Sequence, residues 1–327
     1  MALIIKPQTL AKGGHIGVFS PSSAIPEAAV ERGRAFLEKR GYNVTIHPQT
    51  LAQNGRYAGT VQERVTAFHD LLTNSDIDAI IASRGGSGAL FWLDKINYDL
   101  WQANPKIILG FSDLTALHHA GLNRAGTVTF HGPMLCDFQE RAEFKPSAEG
   151  ALKFLSGEAH KANLLDHNTP HSPIKTRTTH AGQAEGRLVG GNLTLLIKML
   201  AIGAPYTPQM AGNILFIEEV EELHYRVDRA LAALFMNRSA RAISGLIIGR
   251  TEINHDENRN WEITPQHELK AMINRILSAN GLDIPVVINA PFTHQQPNRT
   301  IPHGVMVKLN AEEDNPSLHL LESPFDQ

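Results

Sequence analysis

Short apolar runs alternate with helical patterns through the first half of this 327-residue chain. The apolar runs cover residues 15–20, 43–47, 77–82, 127–130 and the stretch that leads into Ser112, and helical patterns cover 26–40 and 61–72. Such alternation predicts an α/β fold, in which a parallel sheet carries helices on both faces. Functional sites in these sheets lie beyond the carboxyl ends of the strands. The turns after Phe19, Ala82, Leu109 and Phe130 should therefore share one edge.

The alternation is interrupted once. Residues 161–183 are polar and rich in His, Thr and Pro, which predicts a linker between an N-terminal domain (1–160) and a C-terminal domain (184–327). Strand-like runs follow at 186–189, 213–218, 243–249 and 285–289, with helical patterns at 193–200 and 226–235. The second domain is therefore also predicted to be α/β.

Composition argues against several kinds of partner and cofactor. A net charge of −3 gives no basic excess for binding nucleic acid. The chain has no run of about 18 apolar residues that could span a membrane, and its first residues lack a signal-peptide pattern, so we expect a cytoplasmic protein. A single cysteine, Cys136, is expected to be a buried, inert thiol. His267 and Glu268 begin a zinc motif that fails at Ala271, so we expect neither metal nor cofactor.

Ser112 lies in the segment Gly110-Phe111-Ser112-Asp113-Leu114, between a predicted strand and a predicted helix. This is the layout of a nucleophile elbow, in which a tight turn exposes the serine hydroxyl beside the N–H groups of a helix start. Leu114 replaces the second glycine of the α/β-hydrolase signature. A Ser-Asp pair after a strand is also typical of an ordinary helix N-cap, and this segment alone favours the cap.

A glycine-rich segment, residues 84–88 (the glycine loop), follows another predicted strand at the same edge. Glycines allow a close backbone approach to a ligand, and their N–H groups can form an oxyanion hole or bind a phosphate. The spacing matches neither dinucleotide-binding nor P-loop motifs. A flexible turn explains the segment equally well.

Glu218 and His294 each follow an apolar run in the second half of the chain. Glu218 opens an acidic run, 218–222, and such runs usually form the solvated start of a helix. Its position directly after residues 214–217 would instead place it at the exit of a strand. His294 is one of 16 histidines, so its position alone says little.

Taken together, these segments resemble the LD-carboxypeptidase family of serine peptidases, which includes murein tetrapeptide carboxypeptidases and microcin-C immunity peptidases. The matching motifs span nearly the whole chain in one order. They are Arg84-Gly85-Gly86-x-Gly88, Asn104-Pro105-Lys106, residues 110–117, His131-Gly132-Pro133-Met134, residues 185–193, Gly203-x-Pro205-Tyr206, residues 214–220, residues 225–229 and Pro291-Phe292-Thr293-His294.

The resemblance implies a flavodoxin-like N-terminal domain, a smaller C-terminal α/β domain and an active site in the cleft between them. It also implies a Ser-Glu-His triad of Ser112, Glu218 and His294. In that arrangement His294 accepts the serine proton, and Glu218 fixes the imidazole tautomer. The backbone N–H groups of Asp113 and Gly86 would bind the oxyanion.

The activity implied is metal-independent cleavage of the L,D-peptide bond before a terminal D-alanine in murein tetrapeptides, by an enzyme that forms a homodimer. Arg84 and Arg250 are candidates for binding the terminal carboxylate. Ser87 and Thr293 replace residues that are often aromatic and glycine in the family, which affects the substrate pocket rather than the triad.

Two alternatives stay open. The first keeps the same chemistry on peptidyl- or aminoacyl-nucleotides, for which an aromatic side chain usually stacks on the base; the tryptophans are Trp92, Trp101 and Trp261. The second is a non-catalytic small-molecule binding protein, which would need neither Ser112 nor His294.

Overall fold

A computed structural model describes residues 4–158, 162–167, 175–251, 253–254 and 265–326. The strands are β1 (His15–Phe19), β2 (Asn43–Ile46), β3 (Ala79–Ala82), β4 (Ile107–Gly110), β5 (Thr129–His131), β6 (Arg177–His180), β7 (Gly182–Asn192), β8 (Ile214–Glu218), β9 (Glu222–Leu223), β10 (Gly245–Gly249), β11 (Ile253–Asn254), β12 (Val286–Ala290), β13 (Ile301–His303), β14 (Met306–Ala311) and β15 (Ser317–Leu320). The α-helices are α1 (Glu27–Glu38), α2 (Val61–Thr73), α3 (Tyr98–Ala103), α4 (Thr115–Ala120), α5 (Lys145–Leu155), α6 (Leu193–Ile202), α7 (His224–Met236), α8 (Arg238–Arg241) and α9 (Pro265–Asn280). Among these residues no helix combines the length and apolarity that crossing a membrane requires.

The first sheet has the order β13-β5-β4-β3-β1-β2. Strands β1 to β5 run parallel in the order 2-1-3-4-5, which is the flavodoxin-like order. Successive side chains of a strand point to opposite faces, so Ile80 packs with α2, α3 and α4 while Ala79 and Ile81 pack with α1 and α5. The predicted α/β fold with helices on both faces is therefore confirmed.

The second sheet has the order β15-β14-β7-β8-β10-β12-β6. Its central strands β7, β8, β10 and β12 are parallel, and β6, β14 and β15 are antiparallel to their neighbours. One face packs against α6, α7 and α9. The other face shares a continuous apolar core with the first sheet, in which Phe130 stacks on Phe325 with ring centroids 5.3 Å apart.

The chain does not divide as simply as the predicted linker suggests. Strand β6 and the first residues of β7 lie inside segment 161–183, and both belong to the second sheet. Strand β13, from the C-terminal half, pairs antiparallel with β5 at the edge of the first sheet. The two sheets are therefore joined by a common core and by β13, a strand from the C-terminal half that completes the first sheet.

Candidate active site

Ser112 occupies a strained turn directly after β4. Its φ is +62°, which is uncommon for a residue with a side chain and costs on the order of 1–3 kcal/mol. Leu114 is fully buried, and a Cβ at Gly110 would come within 2.3 Å of its Cδ2 atom. Gly110 therefore leaves room for Leu114, which explains how the turn forms without a glycine at position 114. Residues 110–114 are called the Ser112 turn below.

The glycine loop lies directly against the Ser112 turn. A Cβ at Gly85 would come within 3.1 Å of Ser112 Cβ and 3.2 Å of its Oγ. At Gly86, where φ is +107°, a Cβ would come within 2.2 Å of Ser23 Oγ. Position 86 therefore requires glycine because of its contact with Ser23, whereas Gly85 is the loop residue that lies against Ser112. The oxyanion role of the Gly86 and Asp113 N–H groups stays a prediction.

Glu218 and His294 form a close pair at the carboxyl ends of β8 and β12 in the second sheet. Glu218 is the last residue of β8 and is fully buried, and its Oε2 lies 2.6 Å from His294 Nδ1. Burial lowers the pKa of His294, but the carboxylate of Glu218 outweighs this, and the pKa lies above its ordinary value. A Cβ at Gly249, on β10, would come within 3.4 Å of Glu218 Cβ.

The ring of Phe111, in the Ser112 turn, contacts the ring of His294. Its centroid lies 4.8 Å from that of the His294 ring, with the planes at 63°. Since Phe111 is part of the Ser112 turn, the His294 ring contacts that turn, although the turn follows β4 of the first sheet and His294 follows β12 of the second. Nδ1 faces Glu218, which leaves Nε2 as the nitrogen available to accept a proton.

Two further carboxyl groups, those of Glu219 and Asp137, lie near His294, and no motif in the sequence indicated either. Glu219 is 5% exposed and accepts hydrogen bonds from Asn192 Nδ2 (2.9 Å), Thr194 N (2.9 Å) and Thr194 Oγ1 (2.7 Å). Burial raises the pKa of Asp137 to about 6. The interpretation of 218–222 as a solvated helix start is wrong for its first two members, because both are buried and α7 begins only at His224.

Arg84 and Arg250 both follow strands at this edge of the molecule. Arg84 directly precedes Gly85, and its Nη1 donates to the carbonyl of Ala24 (3.3 Å). The carbonyl of Arg250 accepts a hydrogen bond from Thr293 Oγ1, one residue before His294. Thr293, at a position that is often glycine in the family, thus links the segment that carries His294 to the end of β10.

Four histidines form a fully buried cluster behind the Ser112 turn: His118, His119, His131 and His303. His303 lies with its ring centroid 5.7 Å from that of His118 and 4.6 Å from that of His119. His131, expected to follow a strand, is instead the last residue of β5. Within the described ranges, no three or more His, Cys, Asp or Glu side chains are grouped to hold a metal.

The three tryptophans divide into two groups. Trp92 and Trp101 are fully buried in the core beside α2 and α4, so neither can stack on a ligand. Trp261 lies outside the described residues.

Models of known families match both halves of the chain. The LD-carboxypeptidase N-terminal domain matches residues 16–132, and the LD-carboxypeptidase C-terminal domain matches residues 185–309. A probable murein peptide carboxypeptidase of Bacillus subtilis is 30% identical over 312 residues, which cover 95% of this chain and 93% of that protein.

Solved structures agree over almost the whole length. The microcin C7 self-immunity protein MccF, in complex with adenosine monophosphate, superposes with a TM-score of 0.85 at 27% identity, covering 98% of this chain and all of that one. A muramoyltetrapeptide carboxypeptidase from Oxalobacter formigenes gives a TM-score of 0.76 at 26% identity, covering 95% and 99%. By sequence and by fold, this chain belongs to the LD-carboxypeptidase family.

Proposed function

We propose that this chain is a serine carboxypeptidase that cleaves the L,D-peptide bond before a terminal D-alanine in murein tetrapeptides, as part of peptidoglycan recycling. The observation that carries the proposal is the Glu218–His294 pair, 2.6 Å apart, packed through Phe111 against the strained Ser112 turn. The names of the relatives support the substrate class. A cytoplasmic location and a homodimer, implied by the family resemblance, belong to the same proposal.

In this mechanism His294 Nε2 removes the proton from Ser112 as its Oγ attacks the carbonyl carbon of the scissile bond. Glu218 holds the imidazole with Nδ1 protonated and stabilises the imidazolium. The N–H groups of Asp113 and Gly86 stabilise the oxyanion, and His294 then protonates the departing D-alanine amine. Water hydrolyses the acyl-enzyme by the same steps in reverse order.

A carboxypeptidase also needs a partner for the terminal carboxylate of its substrate. Arg84 and Arg250 are our candidates, because both follow strands at the edge where Ser112 and His294 lie. A guanidinium binds a carboxylate in bidentate geometry, so loss of the correct arginine should raise KM more than it lowers kcat.

The proposal is tested with L-Ala-γ-D-Glu-meso-diaminopimelate-D-Ala as substrate. We expect release of free D-alanine by the wild-type chain and none above background by Ser112→Ala. Labelling with a fluorophosphonate probe should likewise require Ser112. Wild-type protein that labels no better than Ser112→Ala would exclude the hydrolase and favour the non-catalytic binding protein.

A second candidate is hydrolysis of peptidyl- or aminoacyl-nucleotides. The higher TM-score to the microcin immunity protein favours it, 0.85 against 0.76 for the muramoyltetrapeptide carboxypeptidase. Trp92 and Trp101 are fully buried, so stacking on a base would require another aromatic side chain. Hydrolysis of an aminoacyl-adenylate analogue, without release of D-alanine from the murein tetrapeptide, would assign the chain to this second activity.

A further inference from the structure

The carboxyl group of Asp113 makes contacts that the triad does not explain. Asp113 directly follows Ser112, yet its side chain is 3% exposed and turned into the protein. One oxygen, Oδ2, accepts hydrogen bonds from Ser22 Oγ (2.6 Å) and from the backbone N–H of Ala89 (2.8 Å). Ser22 lies in the segment after β1, and Ala89 directly follows the glycine loop. A single oxygen thus links three segments at the edge of the first sheet.

The glycine loop is held by further buried contacts on the same side. Arg64, 2% exposed on α2, donates from Nη1 to the carbonyls of Pro21 (3.2 Å) and Gly88 (3.0 Å). Ser23 Oγ accepts from the N–H of Ser87 (3.1 Å). These contacts fix the loop relative to the segment after β1. The Asp113 carboxylate connects the glycine loop and the segment after β1 to the Ser112 turn.

Burying this acid is costly, which makes its position informative. Burial raises the pKa of Asp113, although the hydrogen bonds from Ser22 and Ala89 and the charge of Arg64 act in the other direction. An apolar side chain would fill the space without that cost. The hydrogen bonds that the carboxyl oxygen accepts offset this cost. One comes from Ser22 and the other from Ala89, which directly follows the glycine loop.

We propose that the side chain of Asp113 is a positioning residue that holds the glycine loop in register with the Ser112 turn. The inference rests on the proposed function, in which the N–H groups of Asp113 and Gly86 together bind the oxyanion. The two donors lie on different segments, so their spacing depends on a contact between those segments. Misplacement by about 1 Å can cost roughly 100-fold in rate, and loss of one oxyanion donor costs about 10²–10³-fold.

The test compares Asp113→Asn, which keeps an acceptor oxygen, with Asp113→Leu, which keeps the volume and removes it. We expect Asp113→Asn to stay within about fivefold of wild-type kcat, and Asp113→Leu to lose roughly 100-fold with KM changed less than about twofold. Ser22→Ala, which removes one of the two donors, should lie between them. Thr50→Val is the matched control, because it removes a buried hydroxyl that donates to Val18 O (3.0 Å) and does not contact the loop.

Hydrogen exchange of the amides in residues 85–89 measures loop order without reference to activity. We expect faster exchange in Asp113→Leu and Ser22→Ala and wild-type exchange in Thr50→Val. Wild-type kcat and exchange in both Asp113→Leu and Ser22→Ala would overturn the proposal, as would equal losses in Asp113→Asn and Asp113→Leu. If Asp113→Leu does not fold, Ser22→Ala alone decides. A wild-type chain that releases no D-alanine and does not label would instead refute the proposed function, while exchange would still test the positioning role.

Discussion

His294 and the buried histidine cluster place the same residue type in two opposite electrostatic settings. His294 keeps 19% of its side chain exposed and lies 2.6 Å from a carboxylate, which raises its pKa. No carboxylate among the described residues pairs with the cluster, and burial lowers the pKa of His118 to about 4 and that of His119 to about 3. A neighbouring acid, rather than residue type or burial, therefore distinguishes the raised pKa of His294 from the lowered pKa values of the cluster.

The hydrogen bonds of the cluster agree with neutral rings. His118 contacts Gly110 O through Nε2 (2.9 Å) and Thr129 Oγ1 through Nδ1 (2.8 Å). His131 and His303 have no hydrogen-bond partner for either ring nitrogen within the described part of the chain. Protonating such a ring would bury a charge without an acid to compensate it. We therefore expect the rings of the cluster to stay neutral at pH 7.

The largest effect should come from removing His294, the proposed base. We expect His294→Ala to lower kcat by about 10⁴-fold or more, because the nucleophile then keeps its proton. D-alanine release measures the loss. The control is His319→Ala, an exposed histidine on β15, which should retain wild-type kcat. Comparable losses in the two variants would remove the distinction between His294 and the other histidines.

The next effect concerns the source of the raised pKa of His294. The base must be neutral, so kcat/KM should rise with pH through an apparent pKa above 6.5, the ordinary value for histidine. In Glu218→Gln the charge is lost while burial remains, so the midpoint should move to lower pH and kcat should fall by about 10³–10⁴-fold. An unchanged midpoint would show that Glu218 does not set the pKa of His294.

The sheet that carries Ser112 could be predicted from the sequence, whereas parts of the second could not. The alternating patterns in the first half are local, and they predicted the strands and helices that form the sheet with the order 2-1-3-4-5. Strand β6 has a polar sequence with exposed and half-buried side chains at the sheet edge, so it resembled a linker. Strand β13 pairs with β5 across about 170 residues of chain, and no local pattern specifies such a partner.

The histidine cluster shows the same limit within the site. Sixteen histidines look alike in a sequence, and burial of four depends on how the two sheets meet. Gly190 is similar, because a Cβ there would lie 1.9 Å from Phe216 O on the neighbouring strand. Contacts of this kind become visible only when both strands are placed. The triad residues, in contrast, are identified through the family resemblance of the motifs that contain them, and their catalytic roles stay predictions.

A smaller effect should appear in stability rather than in rate. Since the folded-state pKa values of the cluster are lowered, the unfolded chain binds protons that the folded chain does not as pH falls below about 6.5. The free energy of unfolding should therefore be retained above pH 6.5 and decrease below it, by up to roughly 1.4 kcal/mol per pH unit for each histidine.

Urea denaturation between pH 5 and pH 8 measures this dependence. His303→Leu removes one ring whose pKa lies well below the ordinary value, so its slope should be shallower than that of wild type. Identical slopes for His303→Leu and the wild type would mean that His303 does not resist protonation.

The smallest effect should come from Thr129, which contacts the cluster without titrating. The Gly110 carbonyl can only accept, so a neutral His118 carries its proton on Nε2, and Thr129 Oγ1 donates to Nδ1. Thr129→Val keeps the shape and should cost about 1 kcal/mol of unfolding free energy, equally at pH 7 and pH 8. Because the bond from Nε2 to the Ser112 turn remains, kcat should stay within about twofold of wild type. A larger loss of kcat would mean that the cluster controls the Ser112 turn and is not merely packed behind it.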